Sequence, residues 1–243
     1  MFQPTWKIKA TIIALTMLLS GFIYLQVHSQ NLPPNLEYLR LDQLFGLTAL
    51  FYLIVVMMAG PLYRLFPNLP TKNLHRASLG GLGISTFYLA FLHFLCGFFG
   101  TLKGFAGLPF LTPVYLIAFI LGLIALIILA IMASISFKWA MVKLGSKWKS
   151  IQRLVYVAAI ALLIHPILIG DDFRDFTHPT AFFFILAVVI LILLYALSTY
   201  RHLVSKYPNV SRQLWSLSLS IVLIGGFYLL FLLHGYINGG HHH

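Results

Sequence analysis

The chain has 243 residues, of which 60% are hydrophobic and only 9% are charged, whereas a soluble domain is about one-quarter charged. With a mean hydropathy of +0.93, this composition excludes an ordinary water-soluble fold. Sixteen Lys and Arg against five Asp and Glu give a formal charge of +11. In a chain this apolar, the excess indicates orientation in a membrane and not a nucleic-acid partner.

Seven apolar segments without Asp, Glu, Lys or Arg follow one another along the chain. Each is close to the length of about 20 residues that crosses the hydrocarbon core of a bilayer as a helix. They predict an all-α integral membrane protein with about seven transmembrane helices and the lipid bilayer as its surroundings. The segments are 10–27, 43–63, 77–102, 112–137, 154–170, 176–200 and 213–237.

The charges between these segments alternate from one side of the membrane to the other. All but three of the sixteen basic residues lie at the N-terminus and in the second, fourth and sixth loops. The five acids lie on the opposite side, where the positive charges are Arg40, Lys103 and Arg174. The positive-inside rule therefore predicts a cytoplasmic N-terminus and an outer C-terminus, in a multi-pass protein of the inner (plasma) membrane.

Each end of the chain carries a pattern that resembles a processing or purification sequence. Lys7 and Lys9 precede the first apolar segment, as in a secretory signal, but no small-residue cleavage site follows it. We therefore expect a retained helix. The stretch 239–243 resembles the remnant of a purification tag, and its histidines are excluded from the candidate site.

Two histidines, His93 and His165, lie inside apolar segments. An ionisable side chain within the membrane is costly and by default marks a functional site. The third and fifth segments run in the same direction, so both imidazoles are expected at similar depth in the outer half of the membrane. Two facing neutral imidazoles are a suitable pair of axial ligands for haem iron. The alternative is a non-redox membrane protein, a small transporter or assembly factor, in which they only hydrogen-bond between helices.

The neighbours of these histidines suggest how each ring is surrounded. Pro166 removes the helical donor to the carbonyl of Leu162, so this carbonyl is expected to accept a hydrogen bond from His165. Small residues on the same helical faces leave room for a flat macrocycle, or they serve close helix packing. They are Thr86, Ala90, Cys96, Gly97 and Gly100 near His93, and Ala158 and Ala161 near His165.

Short sequence patterns between Leu41 and Asp171 carry a resemblance to a known family. A basic-Leu-Gly-x-x-Trp pattern at 143–148 precedes a helix that ends with His165, and this is the most specific of them. The region resembles the ferric-reductase-like transmembrane family, and within it the haem-binding membrane subunits of periplasmic methionine-sulfoxide reductase systems, the MsrQ type. The other patterns are GLTAL at 46–50, HRASLG at 75–80, YLAFLHF at 88–94 and RLVYVAA at 153–159.

The resemblance implies a b-type cytochrome that carries electrons across the membrane. His93 and His165 fall on the family's haem-ligand positions, which implies haem b and an electron-transfer subunit of an oxidoreductase. The implied donor is quinol or a separate flavin reductase, and an FMN or quinone cofactor is compatible with it. The implied acceptor lies on the outer face, either a periplasmic oxidoreductase such as methionine-sulfoxide reductase or a ferric complex.

Departures from the family pattern limit the number of haems. Gln152 stands where relatives often have a further histidine, and Leu79-Gly80-Gly81 stands where two-haem members have an inner ligand. We therefore expect one haem, in the outer half of the membrane. Its propionates are expected near an outer basic residue, Lys103 or Arg174 in the first place and otherwise Arg40.

The sequence also suggests a division of the chain. The first helix and outer loop span 1–40, and the haem-binding helical core spans 41–175. Two C-terminal helices span 176–238, and the tag remnant follows at 239–243. The seventh helix, the second of these two, is an addition relative to the methionine-sulfoxide type.

Overall fold

A computed structural model of the chain describes residues 5–69, 72–170 and 179–207, together with the isolated positions 173, 216, 219 and 220. Within these ranges the chain is helical and has no strand, which confirms the predicted all-α class. The α-helices are α1 (Thr5–His28), α2 (Pro34–Leu65), α3 (Lys72–Leu95), α4 (Pro113–Ser134), α5 (Lys138–Leu144), α6 (Lys147–Gln152), α7 (Leu154–Ile169) and α8 (Pro179–Lys206).

Six helical stretches of the described chain are long and apolar enough to cross a membrane. They coincide with the first six predicted segments, and the fifth, Lys147–Ile169, consists of α6 and α7. Even the 22 residues of α4 rise about 33 Å at about 1.5 Å per residue, enough for a hydrocarbon core of about 30 Å. The protein is therefore a multi-pass membrane protein. The predicted seventh segment, 213–237, lies outside the described ranges.

The chain changes its helical geometry directly after His93. From Leu95 it continues as a π-helical turn over Cys96–Thr101, and a 3₁₀ helix follows at Gly104–Phe110. Lys103, between the two, has a left-handed backbone conformation with φ of 62°. Short π-helical stretches are often found at functional sites. Here the wider turn lies next to the histidine that the sequence singles out.

By its internal contacts the chain divides into two compact units, and the first comprises residues 1–56 and 73–169. In this unit Val27, Leu41, Phe45, Ala49 and Leu89 form a buried apolar cluster that joins α1, α2 and α3. The three residues of α2 recur every fourth position, so they lie on one face of the helix.

A second apolar cluster of the first unit joins α4 and α7. It contains Ala125, Ile128, Ala158 and Ala161. Alanines let two membrane helices approach closely. The sequence left open whether Ala158 and Ala161 make room for a macrocycle or allow close helix packing. In the structure they serve close packing of α7 against α4.

Polar contacts attach α1 to the same unit. The hydroxyl oxygens of Ser20 and Tyr88 are 2.9 Å apart. At the N-terminal end of α1, Lys9 Nζ donates a hydrogen bond of 2.9 Å to the main-chain carbonyl of Ser136. The aliphatic stem of Lys9 lies so close to Gly80 that a Cβ at this position would collide with it. The space over Gly80 is therefore filled by a side chain of α1.

The second unit comprises residues 57–72 and 170–243, of which the structure describes mainly the end of α2 and the whole of α8. Two hydrogen bonds join these helices. The Tyr195 hydroxyl donates to the carbonyl of Met57 at 3.2 Å, and the Arg201 guanidinium donates to the carbonyl of Leu65. Arg174 lies outside the described residues.

Candidate functional site

His93 lies near the end of α3 and contacts α2. Its ring nitrogen Nδ1 is 2.9 Å from the main-chain carbonyl oxygen of Asp42. The carboxylate oxygen Oδ1 of Asp42 is 2.8 Å from the same nitrogen, but only the carbonyl satisfies the geometry of a hydrogen bond. With its proton on Nδ1, His93 donates to the main chain of a neighbouring helix, and the other ring nitrogen, Nε2, keeps its lone pair.

His165 lies in α7 and makes an equivalent contact with α4. Its Nδ1 is 2.8 Å from the main-chain carbonyl oxygen of Ala118. The predicted acceptor, the carbonyl of Leu162 one turn earlier in the same helix, is therefore wrong. The ring extends away from its own helix toward α4, which packs directly against α7, and meets a carbonyl there.

The two imidazoles lie in edge-to-face contact, with ring centroids 6.0 Å apart and ring planes at 89°. Two imidazoles that bind one metal ion through nitrogens at about 2.0–2.1 Å have ring centroids at most about 6.4 Å apart. The observed separation of 6.0 Å is compatible with that limit. Two side chains that are 72 positions apart in the sequence, one on α3 and one on α7, are thus in contact.

A cavity of about 410 Å³ lies beside the two histidines, within the range of about 300–1,000 Å³ typical of small-molecule and cofactor sites. Apart from His93, His165, Asp42 and Thr101, its walls are apolar or aromatic. Two of the small residues that the sequence predicts near His93, Ala90 and Gly97, line it. A large apolar surface next to two imidazoles is chemically suited to a porphyrin. Among the described residues, no group of three or more His, Cys, Asp or Glu side chains could hold a bare metal ion.

The predicted basic residues do not line this cavity where the structure describes them. Arg40 is exposed, and its guanidinium lies 3.4 Å from the side-chain oxygen of Gln43. Lys103 is exposed too, but it directly follows Thr101 and Leu102, which do line the cavity. Of the two predicted basic residues that the structure describes, Lys103 is therefore the one whose neighbour in the sequence lines the cavity.

Asp42 is a site residue that sequence reasoning missed. The sequence places it among the outer-loop acids, because the charge-free segment begins one residue later. In the structure it lies within α2, it lines the cavity, and its side chain is only 17% exposed. Its position at the very edge of an apolar segment was the available signal, since an acid there is costly unless it has a partner.

Comparison with known proteins finds relatives that are named as haem-binding subunits. The chain is 31% identical over 125 residues to the protein-methionine-sulfoxide reductase heme-binding subunit MsrQ of Brucella ovis, and 33% identical to that of Brucella anthropi. The match covers 51% of this chain and 54% of each relative, so the chain spans about half the length of the curated relatives it matches. No protein-family model and no solved structure matches it. These relatives confirm the predicted resemblance: over half of its length, this membrane protein is similar to haem-binding subunits of the MsrQ type.

Proposed function

We propose that the chain is a haem-binding electron-transfer subunit of the membrane, with His93 and His165 as the axial ligands of one haem. The observation that carries this proposal is the pair of imidazoles in contact, 6.0 Å apart, beside an apolar cavity. The names of the relatives, which are haem-binding subunits, support it. A haem bound there supplies a one-electron couple.

The protein's part is to orient the ligands and to exclude water. Each Nδ1 donates to a main-chain carbonyl, which selects the tautomer whose Nε2 is free to bind iron. The only cysteine, Cys96, is not part of a C-x-x-C-H motif, and this motif is what attaches c-type haem covalently. This argues against covalent attachment, and we propose haem b, which the resemblance implies.

The route of the electron follows from the predicted orientation of the chain. The histidine pair belongs to the outer half of the membrane, so the acceptor lies on the outer face. It is a periplasmic oxidoreductase, such as the methionine-sulfoxide reductase in the names of the relatives, or a ferric complex. The donor is quinol or a separate flavin reductase.

The absorption spectrum of the detergent-purified protein tests this function. We expect a haem spectrum of the six-coordinate, low-spin type, which sharpens on reduction with dithionite. A colourless protein from cells that make ample haem would contradict the proposal. It would favour the alternative that both histidines only join helices, which their hydrogen bonds to Asp42 and Ala118 would also serve.

A further prediction concerns Lys103, which we propose as a partner of a haem propionate. Lys103→Gln is expected to weaken haem retention roughly threefold to tenfold, the low end for a charge-assisted hydrogen bond because the side chain is exposed. The measurement is the rate of haem transfer to an apo-globin acceptor. Lys103→Arg should retain haem as the wild type does. Arg40→Gln, at the other described candidate, should have the smaller effect because its guanidinium is hydrogen-bonded to Gln43. Equal transfer rates for Lys103→Gln and the wild type would remove Lys103 from the site.

A further inference from the structure

The two histidines are held by the same local arrangement on two different helices. The carbonyls that accept their Nδ1 protons belong to Asp42 in α2 and to Ala118 in α4. In each helix the residue four positions later is a glycine, Gly46 or Gly122. Four residues is one helical turn, so each glycine lies on the same helical face as the carbonyl-bearing residue. Each imidazole thus lies over a carbonyl and a glycine.

Both glycines are in close contact with the ring that they face. A Cβ on Gly46 would lie 2.9 Å from Nδ1 of His93, and a Cβ on Gly122 would lie 2.9 Å from Cε1 and 3.1 Å from Nδ1 of His165. Separations below 3.0 Å are essentially never seen for a real Cβ. Any side chain at either position must therefore displace the imidazole or separate the helices. At Gly46 the atom that would be displaced is the one that makes the hydrogen bond.

The other described glycines of the same unit do not meet a histidine. A Cβ on Gly21 in α1 or on Gly83 in α3 would meet none of the surrounding atoms within 4 Å, and at Gly97 it would meet the Asp42 carboxylate. Close contact with a histidine is therefore not a general consequence of glycine in these helices. It occurs at the two positions that follow the acceptor carbonyls, in two pairs of helices that are independent of each other.

We infer that Gly46 and Gly122 are positioning residues: each leaves the space in which an imidazole lies against a main-chain carbonyl and keeps its Nε2 free for a ligand in the cavity. The inference rests on the proposed haem ligation by His93 and His165. It adds that α2 and α4, which carry no ligand, determine the tautomer and direction of the rings. Loss of the group that hydrogen-bonds to a metal-binding histidine typically costs about 10- to 100-fold in metal affinity. Displacement of an imidazole from its carbonyl is expected to cost a similar factor.

The variants Gly46→Ala and Gly122→Ala test the inference, with Gly83→Ala and Gly21→Ala as matched controls. Haem per purified polypeptide and the spin state, from absorption and electron paramagnetic resonance, are measured for each. We expect the first two to lose haem or to change to a high-spin or altered low-spin spectrum, at unchanged yield of the membrane-inserted chain. The controls should keep the wild-type spectrum. Wild-type haem content and spectrum in both Gly46→Ala and Gly122→Ala would overturn the inference.

A second measurement uses the wild-type protein and does not depend on how the variants fold. In the reduced, diamagnetic protein labelled with ¹⁵N-histidine, Nδ1 of both ligands should carry a slowly exchanging, hydrogen-bonded proton. Absence of this proton on either ligand would overturn the inference. Haem that is lost in His93→Ala but unaffected in both glycine variants would leave the proposed function intact and refute only the positioning role. Haem unaffected by loss of the histidines would refute both.

Discussion

Replacing His165 with alanine is expected to remove most of the haem from the purified protein while the chain remains inserted in the membrane. The imidazole is one of the two that we propose as ligands, it is in contact with the other, and no other described histidine lines the cavity. Membrane insertion depends on apolar length and on the bias of basic residues between loops, and neither changes. Since altering a hydrogen-bond partner of a ligand already costs about 10- to 100-fold in affinity, removal of the ligand should cost at least as much.

The measurement is haem per polypeptide, together with the spectrum of any haem that remains. His93→Ala should behave as His165→Ala does. His75→Ala and His202→Ala are the controls, because both side chains are exposed and neither lines the cavity. A six-coordinate, low-spin spectrum retained in His165→Ala would show that another residue is the ligand.

The purified protein is expected to contain one haem per chain. A second haem in the inner half of the membrane would need another pair of facing ligands. In the described ranges, ring contact joins His93 and His165, whereas His75, near the start of α3, is exposed. Near the start of α3 the helices leave little room: the Lys9 stem covers Gly80, and a Cβ on Gly81 would lie 3.2 Å from Cα of Lys9. The inner position is thus occupied by α1.

Haem extraction with quantitation of the protein decides the stoichiometry, and a reproducible value near two would contradict this expectation. One outer haem leaves the inner half of a core of about 30 Å without a cofactor. The donor should then reach the haem from within the membrane, which favours a lipid-soluble quinol over a cytoplasmic nucleotide. We therefore expect a quinol analogue to reduce the haem in proteoliposomes without added flavin enzyme.

The properties that the sequence determined by itself are those that depend on one segment at a time. A charge-free run of about 20 residues is a membrane helix wherever its neighbours lie, so six of the predicted spans agree with the structure. His93 and His165 could be recognised for the same reason, since an imidazole within such a run is costly in any membrane fold. Their similar depth is expected from the parallel direction of the two segments, which the alternation of charges between loops indicates.

The residues that hold the two rings were decided only by the tertiary structure. Whether His165 meets the carbonyl of Leu162 or that of Ala118 depends on how far α7 is rotated about its axis and how closely α4 approaches. The same is true of Asp42, which from the sequence belongs to a loop and in the structure lies beside His93. Gly46 and Gly122 read as ordinary small residues until the imidazoles are placed against them. Rotation and approach result from the packing of whole helix faces, and no single segment of sequence encodes them.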